Sequence, residues 1–223
     1  MRGKLIVVEG TDCSGKETQT NLLLTNLHKD NIKVEKFSFP NYQSPTGKII
    51  GGPYLGKSYI CEGWFPEGAP QVDPKVAALY YAADRKYNIY KINFLLENGV
   101  NVILDRYVYS NMAHQAGKFE GEERKKMINF LDELEFKLLN LPVPDIKIFL
   151  YMPLKNSCEL KKNRVNIDEH EQDQNHLKKA LETYLEIASL YDFKTINCVK
   201  DDKIRTIESI NDELLEYVLK GVK

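Results

Sequence analysis

The chain has 223 residues, with 31 basic side chains against 32 acidic ones and a formal net charge of −1. That length suits one domain, or one domain with a small mobile extension, and the balanced charge supplies no global field to recruit nucleic acid or an anionic membrane. Four cysteines, Cys13, Cys61, Cys158 and Cys198, form no Cys-x-x-Cys pair, which argues against zinc or a disulfide framework and for a reducing, cytoplasmic setting.

The first apolar run, Leu5-Ile6-Val7-Val8, reads as a buried parallel strand. It is too short for a signal h-region, and no later run approaches the ~20 apolar residues of a membrane span. After it comes Gly10-Thr11-Asp12-Cys13-Ser14-Gly15-Lys16-Glu17-Thr18, and then leucines at helical spacing from Leu22 to Leu27. A glycine-framed loop between strand and helix, ending in Gly-Lys, is a phosphate cradle. Its backbone N–H groups turn inward, the helix N-terminus adds partial positive charge, and Lys16 neutralises the β- and γ-phosphates. Glu17 departs from the pattern, standing where a Ser or Thr hydroxyl normally meets Mg²⁺. The loop therefore argues for a nucleoside triphosphate without saying what the phosphate is for.

A second strand, Val34 to Phe39, ends at Pro40 and is followed by turn-rich residues and a long Gly- and Pro-rich loop over 56–70. Asp73-Pro74 predicts an N-cap with proline in the first turn, opening a helix to about Leu96. Asn101-Val102-Ile103-Leu104 is a third buried strand running into Asp105-Arg106-Tyr107. A helix from about Glu122 to Leu139 is stopped by Pro142 and Pro144, and Ile146 to Leu150 is a fourth strand. A charged stretch from Lys161 to Asp173 precedes a helix to about Leu190; Lys194 to Asn197 is a fifth strand, and Ile204 to Val218 a closing helix. The alternation predicts an α/β fold with a mostly parallel five-stranded sheet and helices on both faces. Ligands in such sheets bind beyond the carboxyl ends of the strands, where the phosphate loop, Phe39-Pro40 and Asp105-Arg106 converge. Asp105 is a candidate Mg²⁺ holder, direct or through water, and Arg106 can bridge transferring phosphates.

With these three regions in view, the chain resembles the thymidylate kinase family. The resemblance rests on the phosphate loop, Phe39-Pro40, and Asp105-Arg106-Tyr107 followed by Ser110-Asn111-Met112-Ala113. It rests also on Tyr81 four residues before Arg85, Pro144-Asp145 before the fourth strand, and Tyr184-Leu185-Glu186 after the charged stretch. It implies a single kinase domain with a lid at about 160–173, transferring phosphate from ATP to dTMP with Mg²⁺. Tyr81 would stack on the pyrimidine. Arg85, one helical turn on, would donate to a thymine carbonyl, with Asn111 and Gln115 near the base edge. Asp12 would contact the sugar 3′-hydroxyl, and Arg106 the acceptor phosphate. Phe39 and Tyr42 would border that phosphate, Tyr42 standing near where many members carry an arginine. His114 takes a place near the sugar usually held by tyrosine. Glu17 and Asp105 are the candidate metal residues. Arg164 is the expected catalytic cation of the lid, ahead of Lys161 and Lys162, because its planar fork can bridge two phosphate oxygens. A homodimer, common in the family, is expected through the helix at 74–96. Two other readings remain at this point: a kinase for another monophosphate or a deoxynucleoside, and a non-catalytic nucleotide switch, which the irregular Glu17 would suit.

Overall fold

A computed structural model describes residues 1–11, 13–161 and 174–222. Five strands form one parallel sheet: β1 (Leu5–Gly10), β2 (Val34–Ser38), β3 (Asn101–Asp105), β4 (Ile146–Tyr151) and β5 (Lys194–Asn197), in the order β2-β3-β1-β4-β5. Connections leave β1 and β3 in opposite directions, so the crevice between their carboxyl ends is the switch point at which such sheets bind ligands. Strands β1 and β3 are buried at every residue, which explains their near-continuous apolar sequence.

Helices α1 (Lys16–Lys29) and α8 (Ile207–Val222) cover one face. There Leu23, Leu27, Ile210, Leu214 and Val218 pack on Ile6, Val8, Ile148 and Ile196. The other face carries α3 (Pro74–Glu97), α4 (Val108–Asn111, continued by wider turns over Met112–Ala116), α5 (Gly121–Asp132, continued over Glu133–Leu138) and α7 (Gln174–Leu190). Its core joins Ile92, Leu96, Val108, Met112, Ile128, Leu131 and Tyr184 to Leu5, Val7 and Leu104. The predicted start of α3 is as expected: Asp73 Oδ1 accepts the N–H groups of Lys75 and Val76 at 2.9 and 3.2 Å.

Three departures concern segments with weak apolar periodicity. The turn-rich stretch before residue 56 contains α2 (Pro45–Ile49), extended over Ile50–Tyr54 and capped by Ser44 Oγ, which accepts Gly47 N–H at 3.0 Å. A helix α6 (Leu154–Lys161) follows β4. An antiparallel pair, β6 (Val199–Lys200) with β7 (Lys203–Ile204), stands where the closing helix was expected to begin. The 56–70 loop is anchored by aromatic packing, with the Tyr54 ring 6.0 Å from Phe65, 6.1 Å from Tyr80 and 5.9 Å from Tyr81. Trp64 stays outside that cluster, 75% exposed.

Candidate active site

The phosphate loop leaves β1 at Gly10, where a Cβ would lie 2.6 Å from Ser14 Oγ and 2.8 Å from the Leu150 carbonyl oxygen; only glycine fits. Cys13 and Gly15 take left-handed backbone at φ 60° and 81°, which curls the chain into a concave nest ahead of α1. The Lys16 ammonium lies inside this curve and donates to the Thr11 carbonyl at 2.6 Å. Among the described residues the buried hydroxyls Thr11 Oγ1 and Ser14 Oγ have no hydrogen-bond partner. Buried polar groups are rarely left so, and phosphate oxygens would satisfy them. Glu17 and Thr18 are exposed on the first turn of α1, where a carboxylate also complements the helix dipole. Asp12, Arg164, Lys162 and the rest of the expected lid over 162–173 lie outside the described residues.

Beside this loop, β3 delivers Asp105 and Arg106. Among the described residues the Asp105 side chain accepts no hydrogen bond and makes one ion pair, 3.9 Å from Lys36 Nζ. Its oxygens therefore suit holding a hydrated Mg²⁺, which prefers one or two carboxylates and keeps several waters. Among the described residues no cluster of three or more His, Cys, Asp or Glu could cage a metal by itself. Phe39, joined to Pro40 by a cis peptide, donates its N–H to the Asp105 carbonyl at 3.1 Å, and its ring lies 6.1 Å from that of Tyr107.

Arg106 adopts left-handed backbone at φ 68° and points Nη1 to within 3.4 Å of both Ser110 Oγ and Tyr184 Oη. What fixes this turn is Glu9, absent from the sequence reading. Its fully buried carboxylate accepts the N–H of Tyr107 at 2.8 Å, the N–H and Oγ–H of Ser110 at 3.1 and 2.6 Å, and Tyr184 Oη–H at 3.3 Å. Burial pushes the Glu9 carboxyl above its ordinary range, opposed by the Ser110 hydrogen bond, the Arg106 charge, the Tyr107 N–H and the Lys16 charge. The signal was present in Leu5-Ile6-Val7-Val8-Glu9: an acid inside a fully buried strand needs dedicated partners.

Helix α3 carries two buried charges in succession, Asp84 and Arg85. Asp84 accepts from Asn41 N–H, Ser44 Oγ, Thr46 Oγ1 and Asn88 Nδ2 at 2.8, 2.9, 2.7 and 2.9 Å, locking the chain after Pro40 onto α3. Tyr42 rides on this locked segment, half-buried, with the Lys57 ammonium 5.4 Å from its ring centre. Arg85, expected from the resemblance to donate to a thymine carbonyl, is held in the interior. It is 2% exposed and forms a bidentate pair with the fully buried Glu135, through Nε to Oε2 and through Nη2 to Oε1 at 2.6 Å. Its Nη1 has no hydrogen-bond partner among the described residues. Asn111 Nδ2 donates to the same Glu135 Oε1 at 3.0 Å and to the Ala78 carbonyl at 3.2 Å. The buried oxygens Asn111 Oδ1 and Gln115 Oε1 have no partner among the described residues. Tyr81 lies half-buried, its ring perpendicular to that of Tyr54.

His114 turns toward α7: its Nδ1 is 3.1 Å from His176 Nε2, with the rings stacked at 5.3 Å. Glu135, Asp84 and His176 were also missed from sequence. Glu135 sits among alternating charges that read as a solvated helix face, and no local pattern marks it as buried.

The thymidylate kinase family model matches residues 8–209. A putative thymidylate kinase of Invertebrate iridescent virus 6 is 32% identical, covering 97% of this chain and 94% of that protein. The thymidylate kinase of Plasmodium falciparum is 30% identical over 98% of this chain and 91% of its own length. A solved thymidylate kinase structure from Candida albicans superposes with a TM-score of 0.74 at 28% identity, covering 98% of this chain and 92% of that one. A matching family model, full-length relatives and a superposing fold agree with the phosphate nest and the Asp-Arg-Tyr turn: the chain belongs to the thymidylate kinase family, ATP-dependent nucleoside monophosphate kinases, and phosphorylates dTMP.

Proposed function

We propose that the whole chain is one catalytic domain in which ATP seats its phosphates in the Gly10–Lys16 nest and dTMP lies across α3 and α4, its phosphate on Arg106. The observation that carries this reading is that Arg85 and Asn111 share Glu135 Oε1, while Arg85 Nη1 and the Asn111 oxygen have no partner among the described residues. Thymine presents the complement, with O4 accepting and N3–H donating. Tyr81 supplies the ring that stacks on the pyrimidine, and Phe39 and Tyr42 border the acceptor phosphate. His114 stands near the sugar, and Gln115 near the base edge.

The acceptor oxygen of dTMP is already anionic, so no side chain needs to remove a proton. Positioning and charge neutralisation carry the reaction. Lys16 neutralises the β- and γ-phosphates, and Arg106 draws the acceptor phosphate into line. Asp105 and the exposed Glu17 would hold Mg²⁺, Glu17 through a water. The ion would supply positive charge against the phosphates, adding to the neutralisation by Lys16 and Arg106.

A homodimer through α3 is supported by an exposed apolar stripe, Val76, Leu79, Tyr87, Tyr90 and Phe94, at helical spacing. Tyr90 and Phe94 also border a groove of about 490 Å³ with Phe37 and Leu95. A reducing, cytoplasmic location fits the free thiols of Cys13, Cys61 and Cys198.

Steady-state assays of ATP with each monophosphate, on wild type and Arg85→Lys, test this reading. Lysine keeps the charge opposite Glu135 but loses the fork, so KM for dTMP should rise at least about tenfold with KM for ATP within about twofold. The reverse pattern would move Arg85 out of the base site. For the wild type, dUMP should be a detectable weak substrate, because a missing methyl costs only about 1–3 kcal/mol. Equal turnover of dCMP or AMP would overturn the base assignment.

A further inference from the structure

We propose that Glu135, which does not touch the substrate, determines base specificity by fixing the polarity of Asn111 and Arg85. An asparagine amide can present either its oxygen or its NH₂ to a ligand, and the two ends are nearly the same shape. Here the choice is forced. The nitrogen end faces Glu135 Oε1 at 3.0 Å and the Ala78 carbonyl at 3.2 Å, both of which only accept. Turning the amide over would set its oxygen against a carboxylate and a carbonyl at once. The Asn111 oxygen is therefore the end left over for a ligand, buried and without a partner among the described residues. The same carboxylate takes one N–H each from Nε and Nη2 of Arg85, which neutralises the guanidinium and leaves Nη1 as the nitrogen with both its donors unused among the described residues.

Glu135 thus orders the edge as donor then acceptor. Thymine and uracil match that order through O4 and N3–H. Cytosine inverts it: its exocyclic NH₂ would meet an N–H, and its N3 lone pair would meet the amide oxygen. Sites built around hydrogen bonds reject a mismatched partner strongly, because buried groups are left unpaired or opposed. The prediction is selective, since uracil shares thymine's edge and a loosened Glu135 should not alter discrimination of the methyl group.

This inference rests on the proposed seating of the base at Arg85 and Asn111, and one set of assays separates the two. kcat/KM is measured for dTMP, dUMP and dCMP with wild type, Glu135→Gln and Asn111→Ala, with folding checked by circular dichroism. In Glu135→Gln one oxygen becomes an NH₂, so the amide and the guanidinium lose their fixed order. The dTMP:dCMP ratio should fall at least about tenfold, or 1.4 kcal/mol, while dTMP:dUMP stays within about twofold. An unchanged dTMP:dCMP ratio overturns the role of Glu135, and so does an equal loss on all three substrates. If Glu135→Gln does not fold, Asn111→Ala decides: it deletes the unpartnered oxygen itself, and the dTMP:dCMP ratio should again fall about tenfold. An unchanged ratio there overturns the proposal. The seating of the base fails separately, if neither Asn111→Ala nor Arg85→Lys alters KM for dTMP.

Discussion

The carboxylate of Glu9 accepts the backbone N–H of Tyr107 at 2.8 Å, so the strand that delivers the phosphate loop also sets the turn that delivers Arg106. Ser110 and Tyr184 complete the arrangement, since each contacts both the Glu9 carboxylate and the Arg106 guanidinium. Replacing Glu9 by Gln turns one acceptor into a donor facing donors. The expected result is a kcat loss of about tenfold or more, roughly 1.4 kcal/mol, as Arg106 loses its fixed position. Tyr184→Phe, which removes one hydroxyl, should cost less. Equal kcat values for wild type and Glu9→Gln would show that Arg106 is positioned by other means.

Glu9 also gives a stability signature. Its folded-state carboxyl holds a proton more tightly than in the unfolded chain, chiefly because of burial. A raised acid favours the folded state most below its unfolded value, and that contribution is lost as pH climbs through the raised value. Urea denaturation of wild type and Glu9→Gln should therefore show the wild type losing stability relative to the variant as pH rises above about 4.5. A difference that grows in favour of wild type with pH would reverse the sign of the argument.

The Arg85–Glu135 pair makes a different demand on the fold. Both groups are at most 2% exposed, so Arg85→Ala strands a carboxylate in the core and should cost about 3–5 kcal/mol in chemical denaturation. The double variant Arg85→Met with Glu135→Leu removes both charges and should recover most of that loss without recovering dTMP binding. Single and double variants of equal stability would mean that the unpaired charge is not the cause.

At the donor site, Lys16→Ala should abolish turnover, because the ammonium sits inside the phosphate nest. Glu17→Ser should stay active with a shifted Mg²⁺ dependence, as its exposed side chain would act on the ion rather than on the loop's shape. A titration of rate against Mg²⁺ checks this, and superimposable curves would exclude Glu17 from the metal's surroundings.

Tyr90→Asp together with Phe94→Asp places two charges on the exposed stripe of α3. Sedimentation velocity should report a dimer for the wild type and a monomer for this variant. A wild-type monomer at assay concentrations would remove the case for that interface.

Much of this was legible before the structure. Strand β5 and the Asp73 cap fall where short-range patterns place them, since apolar runs and caps are written in adjacent residues. The phosphate nest was readable because glycine spacing encodes backbone geometry directly. Glu135 was not, because its partners Arg85 and Asn111 lie 50 and 24 residues away. Only the packing of α5 against α3 and α4 turns a charge in a polar-looking helix into a buried one. Helix α2 was missed because Gly47 and Pro45 are poor helix formers, offset here by the Ser44 cap and the Asp84 anchor.

Asp84 and Arg85 are consecutive on α3, yet one grips the segment after Pro40 and the other grips the end of α5. A slip of α3 by one position one way would bring the Arg85 guanidinium to the donors around Asn41, donor against donor; the other way it would bring the Asp84 carboxylate to Glu135, like charge against like. The helix is therefore keyed at two wards, as a lock is, and can neither slide nor roll by small steps. Whatever closes over the nucleotides during turnover must swing about this helix, and the floor under the base should be equally rigid before and after the substrates arrive.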